Sequence, residues 1–119
     1  MKSISKILVA IILLLSTTIS SAQIKNAKTE TVKIYGNCEI CKAKIEKAGN
    51  IKKTAKVDWN PETGLATITY DTAKTNVNEL LKLIALAGYD SDKYLAPSKS
   101  YSKLDKCCQY ERVAKPAKL

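Results

Sequence analysis

The periodicity of this chain predicts an α+β fold: a ferredoxin-like βαββαβ sandwich, with a four-stranded antiparallel sheet and two helices on one face. Three observations carry that prediction. Two-residue apolar alternation and helical spacing succeed one another as strand, helix, strand, strand, helix, strand across residues 31–97. The second and third strands are joined by Asn60-Pro61-Glu62-Thr63-Gly64, a turn short enough for a hairpin. The two helical runs each end on a glycine, Gly49 and Gly88.

In the first strand, Val32 and Ile34 alternate with Lys33 and Tyr35, so one face is apolar. Gly36-Asn37 turns the chain. Cys41, Ile45 and Ala48 then recur at helical spacing, with Asn37 a candidate cap. Ala55, Val57 and Trp59 alternate with Lys56 and Asp58 as the second strand. In the turn that follows, proline fixes φ and glycine accepts positive φ. Ala66, Ile68 and Tyr70 alternate with Thr67 and Thr69 as the third strand. Asn76 and Glu79 have capping-box spacing. Val77, Leu80, Leu81, Ile84 and Ala87 form one helical stripe, with Leu83 and Leu86 partly off it. A weak fourth strand is expected from about Ser91 to Leu95.

The flanks divide the rest. Lys2 and Lys6 precede a continuous apolar run from Ile7 to Leu15, and small residues lead to Ala22. This is the pattern of a secretory signal peptide over residues 1–22. The run is shorter than the roughly 20 residues a membrane span requires. Cleavage after Ala22 places the product in the periplasm or outside the cell. It also removes two lysines and no acids, lowering the formal charge from +9 to +7. Residues 23–30 are polar and read as a loose N-terminal arm. Residues 98–119 are a basic tail whose Lys99, Lys103, Lys106, Arg112, Lys115 and Lys118 read as solvated. The charge suits steering toward an acidic partner. Spread lysines, few aromatics and no recognisable module argue against nucleic acid.

The chemistry lies in the cysteines. Cys38 and Cys41, in Gly36-Asn37-Cys38-Glu39-Ile40-Cys41-Lys42, stand where strand gives way to helix. Thiolates select Cu(I), Zn and similar soft or borderline ions over Mg or Ca. With no histidine in the chain, a transition-metal site must rest on sulfur. The helix N-terminus favours the thiolate anion, and Lys42 and Lys44 add positive charge nearby. Glu39 works against it. A second pair, Cys107-Cys108, lies in the tail, where Tyr101, Leu104 and Cys108 share helical spacing. Three readings stay open for it. The pair adds ligands to the first site, bridges to it by disulfides, or is oxidised between molecules. Four converging sulfurs would suit tetrahedral zinc.

The stretch from about Thr31 to Leu95 resembles a heavy-metal-associated domain, the module of copper chaperones, copper-pump N-terminal domains and periplasmic mercury-binding proteins. The residues that carry the resemblance are Gly36-Asn37-Cys38-Glu39-Ile40-Cys41, the Glu62-Thr63-Gly64 hairpin, Thr67-Ile68-Thr69-Tyr70-Asp71 and Ala87-Gly88-Tyr89-Asp90. It implies that Cys38 and Cys41 are thiolate ligands for Cu(I), or for Hg(II) as in the mercury proteins. It places Tyr89 where a tyrosine or lysine shields the ion, with Asn37 ordering the loop. The family's usual Gly-Met-Thr-Cys-x-x-Cys is shortened here by one residue, which keeps Val32 and Ile34 facing inward.

Enzymatic readings find no support. There is no histidine for base chemistry, no nucleophile with an evident activating partner and no phosphate-cradling loop. The expectation is an exported protein that sequesters or transfers a soft ion, foremost Cu(I), with zinc or mercury as alternatives using the tail cysteines. Its partner would be an acidic metal-accepting or metal-donating protein. A disulfide-stabilised, non-catalytic interaction module is the reading of a different class.

Overall fold

The computed structural model describes residues 23–112. The expected signal peptide, with its cleavage point, and the last lysines of the tail lie outside them. Among the described residues, three strands form one sheet: β1 (Ala27–Lys33), β2 (Ala55–Trp59) and β3 (Leu65–Asp71). Their order is β1-β3-β2, antiparallel throughout. Two helices, α1 (Glu39–Gly49) and α2 (Val77–Leu86), pack on each other, and α1 packs on β2. A short helix α3 (Ser98–Ser102) and a 3-10 turn (Lys106–Cys108) follow among the described residues.

The alternation in the sequence becomes the core. Ala55, Val57 and Trp59 from β2, and Ala66, Ile68 and Tyr70 from β3, are buried. They meet Ile45 from α1 and Val77, Leu80, Leu81 and Ile84 from α2 in one cluster. Leu83 and Leu86 are exposed, off the apolar stripe. Asn76 caps α2 by accepting the Glu79 backbone N–H at 2.9 Å. Gly64 takes φ +74° in the hairpin turn, a conformation that glycine adopts without a Cβ clash.

Two boundaries differ from expectation. β1 begins at Ala27, so half of the expected arm is strand. Ala27–Glu30 pair with Ile68–Asp71, and the Tyr70 hydroxyl donates to the Glu30 carboxylate. Backbone pairing along β3 outweighs the polarity of those residues. The fourth strand is the other correction. Among the described residues three strands are formed, and residues near Ser91 contribute one isolated antiparallel bridge, Ile34 with Ser91. Tyr35 N–H donates to Asp90 O at 2.8 Å, and Asp92 N–H to Lys33 O at 3.2 Å. The ladder stops there because the next groups turn inward on themselves. Ser91 N–H donates to Tyr94 O at 2.8 Å, and the Asp90 carboxylate takes the Ala96 N–H at 2.6 Å.

Candidate metal centre

The end of β1, the N-terminus of α1 and the tail meet at one pole of the molecule. Cys38 is the N-cap residue of α1, with extended backbone and no side-chain cap bond. Asn37, the expected cap, instead donates from Nδ2 to Cys107 O at 3.2 Å, so it ties the loop to the tail. Cys41 lies on the inward face of α1 and is fully buried. Below the loop sits Trp59, whose Nε1–H donates to Ile34 O at 2.8 Å and Gly64 O at 3.2 Å. A Cβ on Gly36 would stand 3.0 Å from that ring and 3.3 Å from Cys41 Cβ. The glycine lets the loop lie close over both.

The two thiols differ. The Cys38 pKa is lowered, because the backbone N–H groups of Cys41 and Ile40 point at its sulfur; the Cys41 and Cys107 thiols add to this. Burial raises the Cys41 thiol pKa, against the help of nearby backbone N–H groups. Helix N-terminal donors therefore act on Cys38 as predicted. The lysines do not. Lys42 Nζ is engaged by Glu46 at 2.7 Å and Asp58 at 2.9 Å, and its pKa is raised for that reason. Lys44 Nζ pairs with Asp105 at 3.1 Å. Both are committed to carboxylates.

The tail brings a third sulfur. Cys108 is fully buried, and its Sγ lies with those of Cys38 and Cys41 in a cluster within 4.8 Å of one another. Cys107 is exposed, with its Sγ 3.9 Å from that of Cys108. All four cysteines are free thiols. Tyr89 lies fully buried beside the sulfurs of Cys41 and Cys108, and burial followed by those sulfurs raises its pKa. The tail is no continuous helix. It breaks after Ser102, and Leu104 and Cys108 reach the core from separate turns.

Arg112 reads from sequence as a solvated tail charge, whereas the structure ties it to Asp90, next to Tyr89. It makes a bidentate pair with Asp90, Nε to Oδ2 at 2.9 Å and Nη2 to Oδ1 at 2.6 Å, and Nη2 donates to Ala96 O at 2.6 Å. Asp90 is 1% exposed. Asp90 follows the Gly88-Tyr89 pair singled out above, and an acid there invites a basic partner. Nothing local in sequence points to a residue twenty-two positions on.

Residues 31–90 match the family described as heavy-metal-associated domain. The chain belongs to this family. A mercuric transport protein periplasmic component from Pseudomonas aeruginosa is 39% identical over 66 residues, covering 54% of this chain and 72% of that one. Its counterpart from Alcaligenes sp. is 36% identical with the same coverage. Among solved structures, oxidised MerP from Ralstonia metallidurans CH34 is 38% identical with a TM-score of 0.51, over 56% of this chain and 94% of that one. The CopZ metallochaperone is 30% identical with a TM-score of 0.50, over 54% and 98%. This family member therefore shares an antiparallel α+β fold with metal-binding relatives. Among its described residues, no helix is long and apolar enough to cross a membrane.

Proposed function

We propose that this protein binds a thiophilic ion of the class containing Cu(I) and Hg(II) through Cys38 and Cys41, and passes it to a thiol-bearing partner in the periplasm. The observation that carries this reading is the pairing of a half-exposed Cys38 with a buried Cys41 at the start of α1. The buried sulfur retains the ion, and the exposed one is open to exchange. An incoming thiolate forms its bond to the ion as the Cys38–ion bond breaks, and Cys38 then takes up a proton or remains a thiolate. No net oxidation occurs.

Cu(I) suits a pair of thiolates, as expected from sequence. Hg(II) is supported by the curated relatives, which carry a mercuric transport name. The periplasmic placement rests on those names and on the leader pattern. The excess of lysine and arginine over acids favours an acidic docking partner. The reading requires ligand exchange and no catalytic side chain.

Anaerobic titration of the reduced protein with Cu(I), Hg(II) and Zn(II), against a competing chelator, tests it. Tight uptake should vanish in Cys38→Ser/Cys41→Ser. Equal uptake by that variant would overturn the assignment. Stable Cys38–Cys41 oxidation with no uptake would establish the disulfide-stabilised module in its place.

A further inference from the structure

The tail carries chemistry that a two-cysteine site leaves unused. Residues 98–112 lie beyond the 31–90 match, yet they place a buried thiol against the family's own pair. Cys108 Sγ is within 4.8 Å of both Cys38 and Cys41 Sγ. A second observation points into the same spot. The Tyr89 hydroxyl is buried and has no hydrogen-bond partner, although it sits beside the Cys108 and Cys41 sulfurs. Leaving such a hydroxyl unpaired costs about 1–3 kcal/mol. A phenol donates and a thiolate accepts, so an ionised sulfur cluster satisfies it.

We propose that the tail completes the ion site: Cys108 supplies a third sulfur beside Cys38 and Cys41, giving a three-thiolate site for a divalent thiophilic ion such as Hg(II). This rests on the Cys38–Cys41 reading above and extends it. The third sulfur is held in place by contacts that do not involve an ion. Arg112 clamps Asp90 and Ala96. The Tyr110 hydroxyl donates to Gly88 O at 2.9 Å and accepts the Asp90 N–H at 2.7 Å. The Tyr110 ring stacks on Tyr89, with centroids 6.0 Å apart. Lys44 and Asn37 hold Asp105 and the Cys107 carbonyl. A ligand fixed by its surroundings loses little freedom on binding.

Distance and charge agree with three-fold ligation. At the zinc–sulfur length of about 2.3 Å, a trigonal ion needs sulfurs about 4 Å apart, and a larger ion needs them farther apart. The observed limit of 4.8 Å leaves less than about 1 Å of closure. On binding, each S–H bond breaks, the proton leaves to solvent, and the sulfur lone pair forms the metal bond. Three thiolates with a divalent ion carry one residual negative charge, whereas a monovalent ion leaves two. With two of the three sulfurs fully buried, the smaller residual charge is less costly. Cys107 is exposed and outside the triad, although its thiol neighbours both Cys38 and Cys108, so its removal should cost less than that of Cys108.

The test is X-ray absorption on the full chain loaded anaerobically with one equivalent of Hg(II), together with chelator competition. Wild type and Cys107→Ser should each show three mercury–sulfur bonds, and Cys108→Ser two. Losing an outer-shell partner costs about 10–100-fold in metal affinity, so losing a direct ligand should cost at least about 100-fold. Two sulfurs in the wild type would overturn the proposal, whether or not Cys108→Ser folds. So would unchanged affinity in a folded Cys108→Ser, or equal loss in Cys107→Ser. The Cys38→Ser/Cys41→Ser variant separates the two levels. Abolished uptake there with only two sulfurs in wild type refutes the third ligand alone, whereas retained uptake refutes the underlying pair.

Discussion

Replacing Arg112 with alanine should release the tail and leave the domain folded. Asp90 is 1% exposed, and its carboxylate receives two guanidinium bonds and the Ala96 N–H. The substitution leaves a buried carboxylate with one backbone donor. Removing one partner of a buried ion pair costs about 3–5 kcal/mol. The Arg112 side chain is itself 13% exposed, so water can enter where it stood, and the lower end of that range applies. A cost of about 3 kcal/mol corresponds to a factor of roughly 150 in an opening equilibrium. Opening of residues 98–110 costs less than unfolding the sheet, so the loss should be local. Amide hydrogen exchange measures both. The Cys108 and Tyr110 N–H groups, bonded to Asp105 O and Cys108 O, should exchange on the order of 100-fold faster. The β3 amides should keep their protection, and buried Cys108 should become open to alkylation. Tail protection within threefold of wild type would refute the clamp. Equal loss across β3 would refute the claim that the tail opens by itself.

Three further outcomes follow from the same geometry. Iodoacetamide should label Cys38 well before Cys41 as pH rises from 6 to 10. The Cys38 pKa is lowered from 9.0 by the Cys41 and Ile40 N–H groups, and burial raises that of Cys41; peptide mass spectrometry that found Cys41 labelled first would contradict the assignment. A folded pKa held down means that the stabilisation from the Cys38 thiolate is complete above 9.0 and fades as pH falls through the lowered value. Gly88→Ala should destabilise by about 1–2 kcal/mol, since Gly88 sits at φ +111° and the new Cβ would lie 2.9 Å from Leu104 Cδ2 and 3.0 Å from Ser100 O; a urea midpoint equal to wild type would count against it. Trp59→Phe should cost about 1–3 kcal/mol by removing the buried donor to the Ile34 and Gly64 carbonyls, read from thermal unfolding by circular dichroism.

Most of the sheet–helix core was legible because it depends on local repeats. Burial alternates along β2 and β3 as the residue types do, and Val77, Leu80, Leu81 and Ile84 fall on one side of α2. The first cysteine pair was legible for the same reason: it occupies one loop and one helix start. The failures were non-local. Ala27–Glu30 look polar, and their strand state comes from pairing with β3. The segment after Asp90 was expected as a weak strand, but the Ser91 N–H turns to Tyr94 O and the Asp90 carboxylate to the Ala96 N–H, leaving one bridge to Ile34.

Sequence by itself determined the order of the first five elements, the buried faces of β2, β3 and α2, and the reliance of any ion site on sulfur in a chain with no histidine. Tertiary structure alone decided that Cys108 joins Cys38 and Cys41 while Cys107 stays at the surface. It also decided that Lys42 and Lys44 are neutralised by carboxylates and that Arg112 is a clamp. The physical reason is range. Hydrophobic periodicity is written over neighbouring residues, whereas convergence of groups seventy positions apart depends on how a glycine at position 88 and a buried Asp90 let the tail fold back.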